Sequence, residues 1–296
     1  MIGMDFDKLF AGMGLEEPGI STFYELHKRT SDKEFQDRVD KAWEAFQESD
    51  EAFGEYLNAM SEQEKVEPEF LNLYLYLRFC EYTLDKFREM GIEAAALYEA
   101  MTDMTQKCEV QKAANGIYGI PQNDQRAWLR YHINGVMFQF GRLQFQKAVS
   151  EYDLEIEGMK VAKGDLCFYV HIPRSTPLTQ EACMASYKEA LAFARKHFGV
   201  DKMVCFCYSW TLQPWLLDKL DAQTNIIKYQ KSYEIIETIE SLPHMFPFIF
   251  PKEYDNLDDY PTDTTLRRAA IERRRKGGTI GYGVGVKLIT DEMFER

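Results

Sequence analysis

The chain has 296 residues, 45% of them hydrophobic and 14% aromatic, with 20 Phe and 17 Tyr. That is enough apolar surface for a sizeable core in two domains or one large one. A formal net charge of −13 weighs against nucleic acid or an anionic membrane as the main partner, and no apolar run approaches the roughly 18–20 residues of a membrane span.

The opening segment carries Asp5 and Asp7 and lacks a basic start, so it does not read as a secretory leader. Residues 1–135 form a helical domain by their periodicity. Phe35, Val39, Ala42 and Phe46 repeat at helix spacing, and Phe53, Tyr56, Leu57 and Met60 continue it. Pro68 opens a further helix whose apolar face runs Phe70, Leu73, Leu77, Cys80, Leu84 and Phe87 before Gly91 stops it. One helix is expected over 93–112 and another over 123–134.

From residue 136 to 296 the pattern changes. Alternation in 138–146 slips by one residue at Gly141, which reads as a β-bulge. Residues 153–157 and 166–172 flank a turn region at Gly158 and Gly164 and are expected to pair as antiparallel neighbours. In the second of them Leu166, Phe168, Val170 and Ile172 share one face, while Cys167, Tyr169 and His171 take the other. Thr179 is placed to cap a helix with an apolar stripe of Cys183, Tyr187, Ala190, Leu191, Ala194 and Phe198, ended by Gly199. Continuous apolarity makes 203–208 a buried strand. A short helix at 214–220, a strand at 225–233, a proline-punctuated connection, a basic helix at 264–276 and a last strand at 279–288 follow. That last strand sets Ile280, Tyr282, Val284, Val286 and Leu288 on one face and bare Gly281, Gly283 and Gly285 on the other, the mark of close approach by another element or a ligand.

The polar loop after residue 172 feeds a helix N-terminus, where free N–H groups and the dipole favour phosphate. Arg174, Ser175, Thr176 and Thr179 are therefore candidate cofactor contacts; ordinary turn and cap chemistry is their other reading. His171, at a strand end beside that loop, suits proton transfer from an amine or a structural hydrogen bond that orients the loop. Tyr208 and Ser209 end the second central strand and are candidate donors to a leaving thiolate, although Ser209 equally starts the next turn. Trp210, Asn225 and Gln230 are candidate substrate contacts, with edge packing for Trp210 and solvent exposure for the other two as alternatives. The basic run from Arg267 to Lys276 reads as a solvated helix face. Cys80, Cys108, Cys167, Cys183, Cys205 and Cys207 lack metal-finger spacing, and the five histidines form no His-x-x-x-His pair, so buried free thiols in a reducing cytoplasm and no metal are expected. The late glycine tract matches neither a Walker loop nor a dinucleotide fingerprint, and there is no Gly-x-Ser-x-Gly elbow for a serine hydrolase.

The element order resembles the GNAT acetyltransferase fold. Gly141-Arg142-Leu143-Gln144-Phe145, His171-Ile172-Pro173 with Pro177-Leu178, Tyr208-Ser209-Trp210 and residues 224–230 resemble a bacterial family that pairs a helical N-acyltransferase N-terminal domain with a GNAT-like C-terminal domain. The resemblance implies an α/β (α+β) architecture: a helical first domain, then a mixed, mostly antiparallel sheet with flanking helices. It also implies pyrophosphate at the central helix N-terminus and transfer of an acyl group from coenzyme A, or a pantetheine carrier, to an amine of a small molecule or peptide. The glycine-rich phosphate loop of typical GNAT enzymes is replaced here by Arg174-Ser175-Thr176-Pro177-Leu178-Thr179. That departure bears on cofactor geometry, and it keeps a non-catalytic acyl-coenzyme A-binding or protein-interaction module as the alternative.

Overall fold

The computed structural model describes residues 4–121, 124–173, 176–240, 246, 248–250, 252 and 254–295. The chain divides into two compact units, Met1–Gln139 and Phe140–Arg296.

The first unit is built of helices: α1 (Phe6–Met13), α2 (Gly19–His27), α3 (Lys33–Glu48), α4 (Asp50–Glu64), α5 (Pro68–Glu89), α6 (Ala94–Ala100), α7 (Thr102–Asn115) and α8 (Asp124–Ile133). Side-chain caps set several starts: Asp5, Asp32 and Ser49 each accept from a backbone N–H in the first turn of α1, α3 and α4. Phe35, Val39, Ala42 and Phe46 are the buried stripe of α3. Pro68 stands at the start of α5, which buries residues all round its middle, Leu71 to Leu77, and so runs through the core of this unit. The single helix expected over 93–112 is two, α6 and α7, with Met101 between them. Buried Glu64 joins Arg29 and Arg38 in ion pairs, and Asp103 accepts from Trp128 Nε1 at 2.5 Å.

The second unit holds a mixed sheet in the order β1-β2-β5-β6-β8-β7, formed by β1 (Met137–Phe140), β2 (Leu143–Val149), β5 (Leu166–His171), β6 (Met203–Ser209), β7 (Glu234–Ile239) and β8 (Tyr282–Ile289). A separate two-stranded ribbon pairs β3 (Leu154–Ile156) with β4 (Met159–Val161). The helices are α9 (Gln180–Phe198), α10 (Asn225–Gln230) and α11 (Thr265–Arg275). β2 with β5, β6 with β8 and β7 with β8 pair antiparallel, and β5 with β6 pairs parallel.

Three strand expectations are corrected. Gly141, at φ +52°, sits in a turn between β1 and β2, so the phase slip marks two strands and not one bulged strand. Residues 153–157 do not neighbour β5. They close a tight ribbon with β4 through a turn at Glu157 and Gly158, while β5 pairs with β2 from Gln144↔His171 to Val149↔Leu166. Residues 225–230 are helical, and the strand begins only at Glu234. A short run with Ile226, Ile227 and Tyr229 fits either period; in the fold Ile227, Tyr229 and Gln230 are buried, with Ile227 and Gln230 at helical spacing.

Two apolar clusters cover opposite faces of the sheet. Phe168, Val170, Cys205 and Cys207 pack with Cys183, Tyr187, Ala190 and Leu191 of α9. Cys167, Val204, Phe206, Val286 and Leu288 pack with Ile156 and Val161 of the ribbon, with Tyr169 and Tyr208 at the margin. The bare face of β8 is used for packing: a Cβ on Gly283 would stand 2.5 Å from the Leu212 carbonyl oxygen, and one on Gly285 2.9 Å from Tyr233 Cβ. A smooth side chain there would push the 3-10 turn Trp210–Leu212 off the sheet.

Candidate functional site

Parallel pairing of β5 with β6 is confined to Phe168↔Cys205 and Tyr169↔Phe206. Beyond it each strand keeps its other neighbour: β5 stays on β2 as far as His171↔Gln144, and β6 stays on β8 as far as Ser209↔Gly283. The C-terminal ends of the two parallel strands therefore belong to different halves of the sheet. A crevice at such strand ends is where open α/β sheets take ligands. α9 follows β5 in the chain after a short connection, with Thr179 Oγ1 accepting from the Ala182 N–H at 3.2 Å.

His171 and Tyr208 lie on the same face of the sheet, one on each side of the crevice, by the alternation that sends Tyr169, Phe206 and Tyr208 to the ribbon side. His171 is half-buried, and its Nε2 lies 3.0 Å from Gln146 Oε1. Tyr208 donates a long hydrogen bond (3.4 Å) to Tyr152, whose hydroxyl donates to Glu237 at 2.9 Å. Burial, reinforced by that contact, pushes the Tyr208 hydroxyl far above its usual range. It is a hydrogen-bond donor that does not readily part with its proton.

Of the other predicted residues, Arg174 and Ser175 lie outside the described residues. Thr176 is exposed and Thr179 is the cap of α9. Ser209 starts the next turn: its Oγ accepts from the Thr211 N–H at 3.2 Å and from the Thr211 hydroxyl at 2.9 Å. Trp210 packs against the cluster of Ile249, Phe250, Tyr260, Ile271 and Ile280, away from the crevice face of Tyr208. Gln230 is buried and donates to the Gln213 carbonyl at 2.8 Å. Asn225 lines a pocket. In the basic helix, Arg267, Arg273, Arg275 and Lys276 each meet a carboxylate, which accounts for much of that run.

The pocket lies between α9 and α10 and opens to solvent. Leu178, Cys183, Met184, Tyr229 and Lys287 line it together with Asn225. Beneath it runs a buried hydroxyl chain: Tyr187 to Tyr233 at 2.5 Å, Tyr233 to Tyr229 at 3.2 Å, and Tyr229 to the Cys207 sulfur at 3.6 Å. Burial holds all three phenols well above their ordinary range, and it pushes the Cys207 thiol up to about 12. Sequence reasoning missed this layer. Its one legible signal was Lys287, a charge on the same strand face as Gly281, Gly283 and Gly285.

All six cysteines are free and buried. Among the described residues no group of three or more His, Cys, Asp or Glu is arranged to hold a metal, and no helix is long and apolar enough to cross a membrane.

The profile of the GNAT-like C-terminal domain matches residues 137–287, and that of the N-acyltransferase N-terminal domain matches residues 4–135. The chain belongs to this GNAT-like family. No curated protein matches it. Three solved structures share its fold, each aligned over 96% of this chain and 99% of the other. One is an acyltransferase in complex with decanoyl-CoA and teicoplanin, at 19% identity and a TM-score of 0.64. The second is an acyltransferase in complex with CoA and 10C-teicoplanin, at 18% and 0.65. The third is an acyltransferase in complex with decanoyl-CoA, at 17% and 0.63.

Proposed function

We propose that this chain transfers an acyl group from a coenzyme A thioester to an amine. The observation that carries the reading is the parting of β5 and β6 after two parallel pairs, which lays His171 and Tyr208 on either side of one crevice. Family membership and the acyl-CoA held by structures of the same fold support it.

In this reading the loop before α9 and the α9 N-terminus hold the coenzyme A phosphates, with Arg174, Ser175, Thr176 and Thr179 as contacts. The thioester enters the crevice, and the acceptor amine approaches on the His171 face. The His171 imidazole takes the proton as the C–N bond forms. The C–S bond then breaks, and the proton passes to the departing thiolate. Tyr208 turns its O–H from Tyr152 toward the departing sulfur and steadies the developing charge with a hydrogen bond. In this reading Tyr208 steadies the thiolate and does not protonate it, and Ser209 is held in its turn. The acceptor is an amine of a small molecule or peptide, in keeping with teicoplanin in one neighbouring structure. A reduced cytoplasmic setting suits six free thiols.

The engagement of Ser209 in a cap and the glycine-free loop favour the second reading, a binder of acyl-coenzyme A without turnover. Incubation with short- and long-chain acyl-coenzyme A and an amine panel, read by release of free thiol, separates the two. Thermal stabilisation by every thioester with no thiol release from any amine establishes the binder; amine-dependent release establishes the enzyme.

A further inference from the structure

Three cations bear on the pocket between α9 and α10: exposed Lys228 on its wall, and buried Lys287 and Arg142, neither of which makes an ion pair among the described residues. Arg142 follows Gly141 in the turn that joins β1 to β2 and is 8% exposed. Its backbone N–H donates to Ser186 Oγ at 2.9 Å, which ties the turn to α9. Its Nε and Nη1 are buried and have no hydrogen-bond partner among the described residues. Its charge bears on Cys183 and Tyr229, both of which line the pocket.

Lys287 comes from the opposite side. It is 9% exposed, and it lines the pocket directly. Its ammonium stands 4.6 Å from the ring centre of Tyr187 and 5.6 Å from that of Tyr233. Glu157 is the carboxylate that bears on its charge, and it makes no ion pair with it. Cys183 feels both cations, which oppose the rise that burial imposes on its thiol.

No carboxylate lines this pocket, in a chain with 48 acidic residues. A buried guanidinium with two orphaned nitrogens is costly, and the Lys287 ammonium beside it meets ring faces and makes no ion pair among the described residues. An oxyanion placed between them satisfies both. We propose that Arg142 and Lys287 together hold one oxyanion group of the acyl donor: a carboxylate closing its acyl chain, or a phosphate of its coenzyme A. The assignment of a thioester as ligand rests on the function proposed above; the oxyanion site itself rests on the two cations.

The test is calorimetric titration of the full chain with coenzyme A, butyryl-coenzyme A and succinyl-coenzyme A, and with inorganic phosphate and succinate alone. Wild type is compared with Arg142→Gln, Lys287→Met and the charge-keeping Lys287→Arg, each checked for a cooperative melt. Butyryl and succinyl chains have equal length and differ in the terminal carboxylate. If a carboxylate is held, wild type prefers succinyl-coenzyme A, Arg142→Gln and Lys287→Met each weaken it roughly ten- to a hundredfold, and butyryl-coenzyme A is unaffected. If a phosphate is held, the same variants weaken all three coenzyme A ligands alike, and inorganic phosphate competes. In either case Lys287→Arg restores most of the affinity. Wild-type affinity of both charge-removing variants for every probe overturns the proposal. If no thioester binds wild type, the donor reading fails. The oxyanion site then stands if phosphate or succinate binds wild type and not the variants, and it falls if neither binds.

Discussion

Gly283→Ala adds one methyl group at the tightest point of the β8 face. Its Cβ would lie 2.5 Å from the Leu212 carbonyl oxygen, 2.8 Å from the carbonyl carbon and 2.9 Å from Leu212 Cβ. Two of those three atoms are backbone and cannot swing aside. Relief requires moving the Trp210–Leu212 turn, which follows directly on the end of β6, or bending β8. Overpacking of this kind costs about 3 kcal/mol, at the upper end of the usual range, because the obstacle is main chain. For a unit of this size that lowers the melting temperature by roughly 6–12 °C. Gly285→Ala is the internal comparison: its closest atoms are Leu212 Cδ1 at 2.8 Å, the end of a flexible side chain, and Tyr233 Cβ at 2.9 Å, and neither is main chain. The expected loss there is smaller, about 1 kcal/mol. Scanning calorimetry of wild type and both variants measures the ordering. A Gly283→Ala protein that melts within about one degree of wild type would show that the glycine face is open, and the packing argument would fail.

His171→Gln should bind acyl-coenzyme A as wild type does and turn over about 10²–10⁴-fold more slowly, with the acidic limb of its pH–rate profile lost; an unchanged rate and profile would make His171 purely structural. Thr179→Ala removes the cap of α9 and should cost about 1 kcal/mol in urea unfolding, with Thr179→Ser restoring most of it. Tyr187, Tyr229 and Tyr233 stay protonated in the fold at a pH where the unfolded chain ionises them. Their stabilisation is whole below about pH 10 and is lost as pH rises beyond it, at roughly 1.4 kcal/mol per pH unit for each phenol. Urea midpoints measured across that range should fall steeply for wild type and less steeply for Tyr187→Phe; parallel slopes would contradict the buried network.

Where a segment buries one face, its period was readable in the chain. Phe35, Val39, Ala42 and Phe46 repeat as a helix must, and Leu166, Phe168, Val170 against Cys167, Tyr169, His171 alternate as a strand must; both patterns are the buried sets observed. Caps are equally local, so Thr179 and Gly199 marked the ends of α9 from sequence alone. The glycines of β8 announced a close approach but not what approaches, because Leu212 and Tyr233 reach them through the fold. The run 225–230 was read as a strand because six residues carry too little period to separate 2.0 from 3.6, and packing settled it as α10. The crevice depends on two strands pairing for only two residues before each follows its other neighbour, a property of register that neither strand encodes by itself. Arg142, Cys183, Tyr229 and Lys287 lie far apart in the chain, on a turn, two helices and an edge-adjacent strand. Only the folding of α9 and α10 onto the same face of the sheet brings Cys183, Tyr229 and Lys287 to one pocket within reach of the Arg142 charge, because Coulomb interaction and burial act through space and leave no periodic trace in the sequence.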